Sequence, residues 1–358
     1  MMGLRAVLML WLACCPVMVQ AEPALQWGVG FHRLSFLDPL DDQPMRAIAF
    51  YPSSEAQGLT KIGSYEVAAT EGAKIAIGRY PLLMLSHGNT GTPLALHDLA
   101  TSLARKGFVV VAVLHPGDNY KDHSRLGTLS NLYGRPMQIS AAISATLDDP
   151  ELSPYVHDDQ VGVIGYSAGG ETALILAGAQ PDLDRLRRYC QERPEDRDAC
   201  TTKGELIADR DDLMPVADPR VHALLLMAPL SLMFGRQTLA DVHVPVPVLL
   251  YSGENDRLVF PDKNADALAR KLPVEPEFKV IPGAGHFVFM APCNDEQMAA
   301  MPGLCTDAQG VDRVDIHRDL IYEAGRFFSN VLEPATLSRT ASTGHQACPV
   351  DRFGLHHC

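Results

Sequence analysis

The chain has 358 residues, 47% of them apolar and 20% charged, with 43 acidic residues against 30 basic ones and a formal net charge of −13. This composition is ordinary for a globular protein, excludes a disordered or repetitive chain, and at this length suits one large α/β domain or two small ones. The negative charge argues against nucleic acid as a partner; its plainest reading is solubility.

At the N-terminus, Arg5 is followed by an apolar run from Ala6 to Ala13, shorter than the roughly 20 residues that span a bilayer. Val19-Gln20-Ala21 has the small-residue form of a cleavage site, so residues 1–21 are expected to be a secretory signal and the mature chain to begin near Glu22. A competing reading puts a lipid on Cys14 or Cys15, but Trp11, Leu12 and Ala13 fit a lipoprotein cleavage box poorly. The expected destination is the periplasm or the outside of the cell. No other run is long and apolar enough to be a transmembrane segment. The catalytic domain is expected over 22–334, with a tail over 335–358.

Val29 to Phe36 and Met45 to Tyr51 read as early strands. Pro81 to Leu85 is a short continuous apolar run, as expected of a strand buried on both faces. Leu94 to Lys106 has helical period and stops at Gly107; Phe108 to Leu114 is a second buried strand. Pro136 to Leu147 reads as a helix with proline in its first turn, and Val161 to Ile164 as a strand leading to the small-residue helix Ala168 to Ala179. A charged segment, Asp182 to Asp218, shows little periodicity and is expected to be a lid-like insertion. Strands are expected at Val221 to Met227, Val246 to Ser252 and Phe278 to Ile281, and helices at Asp262 to Leu272 and Val311 to Val331. The alternation argues for an α/β fold: a mostly parallel sheet covered on both faces, with functional residues at the carboxyl ends of strands.

Of eight cysteines, two lie in the expected signal. The other six fall into three close pairs, each bracketing a polar loop, and the expected disulfides are the local ones: Cys190–Cys200, Cys293–Cys305 and Cys348–Cys358. Such bridges agree with export. None has Cys-x-x-Cys spacing, which argues against redox or zinc chemistry. His356-His357-Cys358 reads as a solvated tail rather than a metal site, and no metal or organic cofactor is called for.

Gly165-Tyr166-Ser167-Ala168-Gly169 places Gly-x-Ser-x-Gly between a strand-like and a helix-like run, the context of a nucleophile turn. A serine hydroxyl needs a base, and His286 in Gly283-Ala284-Gly285-His286 follows the last short strand. Asp256, in Ser252-Gly253-Glu254-Asn255-Asp256, follows the strand before it and is the expected orienting acid, with Glu254 as rival. The expected oxyanion donors are the backbone amides of Ala168 and of Asn89, the latter in the Gly-rich turn Ser86-His87-Gly88-Asn89-Thr90-Gly91. For each of these residues the competing reading is structural: a packing histidine, a turn aspartate, a plain glycine-rich turn.

Leu85-Ser86-His87-Gly88, Val111 to Gly117, Gly165 to Gly170 and Gly283 to His286 together resemble the α/β-hydrolase superfamily. More narrowly, roughly residues 25 to 330 resemble secreted bacterial proteins of the dienelactone-hydrolase and platelet-activating-factor-acetylhydrolase-like group. Dienelactone hydrolases proper use a cysteine nucleophile where this chain has Ser167. The acetylhydrolases carry the acid after the strand next to the nucleophile helix, where this chain has Leu226-Met227-Ala228-Pro229. The resemblance therefore implies an esterase with Asp256 as acid and implies neither group's substrate.

These readings point to a serine hydrolase cleaving a small-molecule or lipid-like carboxylic ester through an acyl-enzyme. A peptidase or amidase on the same three residues, and a non-catalytic binding protein that kept the fold, are the alternatives. A serine at the turn excludes haloalkane dehalogenation, which needs a carboxylate there. Phe287, Phe289 and Met290 stand equally as pocket or packing residues; 182–218 and 292–310 are expected to wall the pocket.

Overall fold

The computed structural model describes residues 27–196, 199–200, 204–240 and 246–332. The expected signal, the tail with Cys348 and Cys358, and the His356-His357-Cys358 run lie outside the described residues.

The sheet begins with an antiparallel pair, β1 (Gly28–Leu37) and β2 (Pro44–Ser53). A two-stranded ribbon, β3 (Thr60–Ile62) and β4 (Tyr65–Val67), and a short strand β5 (Thr70–Glu71) follow. Then come β6 (Tyr80–Ser86), β7 (Val109–Leu114), β8 (Val156–Tyr166), β9 (Val221–Met227), β10 (Val248–Gly253) and β11 (Glu277–Ile281). Among the described residues nine strands form one sheet in the order β11-β10-β9-β8-β6-β7-β2-β1-β5. The run β11 to β7 is parallel throughout, and β2 joins β7 antiparallel.

Both faces of the parallel strands are covered, which explains their continuous apolar runs. On β6, Leu82 and Met84 face one core while Leu83 and Leu85 face the other. The first core is closed by α2 (Leu129–Asp148), α3 (Ala168–Leu176) and α5 (Ala265–Ala269). The second is closed by α1 (His97–Arg105) and α8 (Arg313–Val331), whose Leu320, Ala324, Phe327 and Phe328 recur at helical spacing.

Three expectations about elements are corrected. The helix around Pro136 starts seven residues earlier, at Leu129, where the Thr128 hydroxyl accepts from the Asn131 amide and caps it. Pro136 therefore lies inside α2; burial of Leu132, Arg135, Ile139 and Ile143 holds the helix through it. The segment 182–218 contains a helix, α4 (Leu183–Glu192), capped by Asp182. Its inward residues are Leu186, Tyr189 and Cys190, a face too narrow to stand out among Asp184, Arg185, Arg187 and Arg188. The loop 292–310 contains α6 (Asp295–Ala300), opened by an Asn294–Gln297 capping box, and α7 (Pro302–Cys305). Disulfides join Cys190 to Cys200 and Cys293 to Cys305. No helix among the described residues is long and apolar enough to cross a membrane.

Candidate active site

Because β6, β8, β10 and β11 run parallel, their carboxyl ends share one rim, and the loops that leave them meet there. Ser167 sits between β8 and α3 with φ 55°, a left-handed backbone that L side chains rarely adopt. The turn is pinned on both sides: the Ser167 amide donates to the Met227 carbonyl at 3.0 Å, and the Ser167 carbonyl accepts from Gly170 and Leu230. A Cβ on Gly169 would collide with the Ser86 carbonyl, and one on Gly165 with the backbone of Gly169. The two glycines thus let strand and helix close around the serine.

His286 leaves the loop after β11 and is 8% exposed; Asp256 leaves β10 and is 3% exposed. The His286 ring lies with Nε2 3.0 Å from Ser167 Oγ and Nδ1 2.6 Å from Asp256 Oδ2. The other Asp256 oxygen accepts from the Leu258 and Val259 amides, which fixes the carboxylate. With Asp256 accepting at Nδ1–H, the Nε2 lone pair points at the serine hydroxyl. Glu254, the rival acid, instead accepts from the Gly283 amide at 2.7 Å and fastens the histidine loop to β10.

The 86–91 turn lies against the serine: a Cβ on Gly88 would stand 3.1 Å from Ser167 Cβ. Neither the Asn89 amide nor the Ala168 amide donates to a protein acceptor among the described residues. Ala168 opens α3, where an unpartnered N–H is the rule.

A buried polar network unforeseen from sequence holds this turn. Arg135 donates to Asp118 Oδ2 at 2.6 Å, to the Ser86 hydroxyl and to the His87 carbonyl. Asp118 also accepts from the Thr90 amide at 2.7 Å and from Asn131. His115 takes a hydrogen bond from Ser86 and gives one to Gln138. His87 donates from Nδ1 to the Gly88 carbonyl and accepts the His115 amide at Nε2. Burial first, then the Arg135 charge, pushes His87 down to about 3 and His115 well below its ordinary value, so both rings are neutral. His87 and His115 therefore brace the backbone rather than exchange protons.

A cavity of about 300 Å³ is lined by Asn89, Asn131, Glu171, Leu186, Leu206 and Leu230 among others, and Leu230 donates its amide to the Ser167 carbonyl. The segment 182–218 does contribute to its wall through Leu186, Ala199 and Leu206, whereas 292–310 does not. Phe289 packs in the second core against Tyr166 and Tyr251, and neither Phe287 nor Met290 lines the cavity. Among the described residues no group of His, Cys, Asp and Glu could hold a metal.

Residues 68–208 match the model of the dienelactone hydrolase family. The mostly parallel sheet covered by helices on both faces is the α/β-hydrolase fold. The matched stretch holds Ser167, Asn89 and Glu171 but stops short of Asp256 and His286. A ferulic acid esterase from Streptomyces cinnamoneus superposes with a TM-score of 0.62 over 91% of this chain and 96% of its own, at 19% identity. A dienelactone hydrolase-like promiscuous phosphotriesterase from metagenomic libraries superposes with a TM-score of 0.52 over 85% of this chain and 99% of its own, at 16% identity. In sequence, a cutinase of Thermobifida alba is 32% identical over 106 residues, which is 29% of this chain and about a third (32%) of the cutinase.

Proposed function

We propose that this protein hydrolyses carboxylic esters by a two-step acyl transfer with Ser167 as nucleophile. The observation that carries the reading is the hydrogen-bonded line Ser167–His286–Asp256, assembled from three loops on one rim of the sheet. His286 Nε2 removes the hydroxyl proton as Oγ attacks the ester carbonyl, and Asp256 steadies the imidazolium that forms. The free amides of Asn89 and Ala168 receive the developing oxyanion. As the tetrahedral species collapses, the imidazolium protonates the departing alcohol. Water, deprotonated by the same ring, then attacks the acyl-enzyme, and Ser167 recovers its proton. The family match and the cutinase stretch support ester over amide chemistry. The two disulfides support a place of action outside the cytoplasm, as the expected signal at 1–21 requires.

A fluorophosphonate should label Ser167, and 4-nitrophenyl acetate should be hydrolysed faster than 4-nitroacetanilide. Ser167→Ala should lose hydrolysis by about 10⁵-fold or more with an unchanged circular dichroism spectrum. Turnover retained in that variant removes the serine from the mechanism, and absence of labelling favours a binding protein.

A further inference from the structure

Three successive peptide planes make up the turn that carries the Asn89 amide, and each is pinned by one buried side chain. The His87 carbonyl, in the first, accepts from Arg135. The Gly88 carbonyl, in the second, accepts from His87 Nδ1 at 2.7 Å and from the Gly91 amide at 3.1 Å. The Thr90 amide, in the third, donates to Asp118 at 2.7 Å. The second plane bears on the oxyanion, because its nitrogen is that of Asn89. In a trans peptide the C=O and N–H point in opposite directions. With the carbonyl held against His87 and Gly91, the Asn89 N–H faces the other way, where no protein acceptor among the described residues takes it.

The local backbone does not forbid the reverse orientation. A peptide flip turns ψ of Gly88 and φ of Asn89, and glycine and asparagine tolerate the left-handed backbone more readily than other residues. A flipped plane would put the Gly88 carbonyl where the donor should stand. Against this the Gly91 amide supplies one hydrogen bond and the His87 ring the other. The fit is close: a Cβ on Gly91 would stand 2.8 Å from the Gly88 oxygen and 2.9 Å from His87 Nδ1. The ring has one tautomer. The His115 amide donates to His87 Nε2 at 3.3 Å, so Nε2 is an acceptor and the hydrogen sits on Nδ1, aimed at the Gly88 carbonyl. His87 is 0% exposed and packs edge-on against the His115 ring at 5.0 Å, so solvent does not compete for the bond.

We propose that His87 is a positioning residue for ester hydrolysis: its Nδ1–H holds the Gly88–Asn89 peptide in the orientation that aims the Asn89 N–H at the developing oxyanion. This rests on the esterase reading above. The ring exchanges no proton in this role; it acts through the peptide. Its effect belongs to the steps in which negative charge develops, so it is read in kcat rather than in KM.

The test uses the full chain and its His87→Leu and His87→Asn variants, with 4-nitrophenyl acetate as substrate and 1,1,1-trifluoroacetone as inhibitor. The ketone adds to a serine hydroxyl and forms a hemiketal oxyanion. Rates are taken per serine labelled by fluorophosphonate, which removes any loss of folded protein. Leucine fills space and donates nothing: kcat should fall by about 10²-fold, KM stay within about threefold, and ketone affinity fall in parallel with kcat. Asparagine places an N–H donor near the position of Nδ1 and should recover kcat to within about tenfold of wild type. In the wild type, nitrogen NMR of the His87 ring should show the Nδ1–H tautomer at neutral pH. An Nε2–H ring, a leucine variant whose kcat and ketone affinity stay near wild type, or an asparagine variant no better than leucine overturns the role. If His87→Leu does not fold, the tautomer and the asparagine variant still decide. If Ser167 is labelled and the acetate is hydrolysed while any of those outcomes appears, only the positioning role fails; a wild type that does neither removes the esterase reading first.

Discussion

The Tyr166 hydroxyl donates to the backbone carbonyl of His286 at 3.2 Å, and the two rings lie 5.1 Å apart. The residue before the candidate nucleophile thus tethers the main chain of the candidate base. Burial first, then the Asp256 charge, holds the phenol well above its ordinary value, so it remains a donor at any working pH. Tyr166→Phe keeps the ring packing and removes the tether. The expected outcome is a kcat lower by about three- to tenfold with KM within about twofold, because only the placement of the imidazole is disturbed. Steady-state kinetics on 4-nitrophenyl acetate check it, and an unchanged kcat shows that the loop is held without the hydroxyl.

Asp256 accepts from two backbone amides as well as from His286, so its position survives removal of the charge. Asp256→Asn can present an amide N–H to Nδ1 and stabilise the tautomer whose Nε2 carries the proton. That ring cannot accept from Ser167. A fall in kcat of roughly 10⁴-fold is expected with little change in melting temperature. Activity within tenfold of wild type would move the acid role elsewhere, with Glu254 the first alternative to test.

The parallel core of the sheet and the serine turn were legible because they follow local rules. Strands buried on both faces write continuous apolar runs, and a strained serine between strand and helix needs glycines at 165 and 169. The closeness of Asp256 and His286 to Ser167 follows from chain order and from their placement at strand ends of one rim. What stayed hidden depends on distant contacts. Arg135 and Asp118 read as ordinary helix and loop charges until the fold buries them together at 2.6 Å. Glu171 reads as an acid in the first turn of a helix, a favourable place for a carboxylate, and only the cavity wall shows it to be unpaired. Helix α4 writes only a three-residue apolar face, and the start of α2 lies at the Thr128 cap, seven residues before the proline that marks a first turn by local rules.

The bridge Cys293–Cys305 closes a loop of sequence separation 12, and Cys190–Cys200 one of 10. Loop-closure entropy assigns each about 3 kcal/mol. Replacing both cysteines of either pair by serine should lower the melting temperature by roughly 5–10 °C, read by calorimetry. For the 190–200 pair the loss is expected to extend to function, since that bridge fastens α4, whose Leu186 lines the same cavity as Asn89 and Leu230. Its double variant should lose more activity on six-carbon esters than on acetates, whereas the 293–305 variant should treat both alike.

Glu171 gives a pH signature with a definite sign. Its carboxyl is raised by burial from 4.5 to about 8, with Arg135 pulling down and Asp118 pushing up; Tyr133, whose own hydroxyl feels Glu171, is its other titratable neighbour. Between those two values the folded chain keeps a proton that the unfolded chain has released, so wild-type stability falls as pH rises through that window and levels off above about 8. Glu171→Gln has no proton to lose. It should therefore unfold at nearly the same denaturant concentration as the wild type at pH 4.5, and become the more stable protein by on the order of a few kcal/mol by pH 8. Urea titrations at pH 4.5, 6 and 8 measure the difference. A gap that shrinks or stays constant with rising pH means that the acid is ionised in the folded protein.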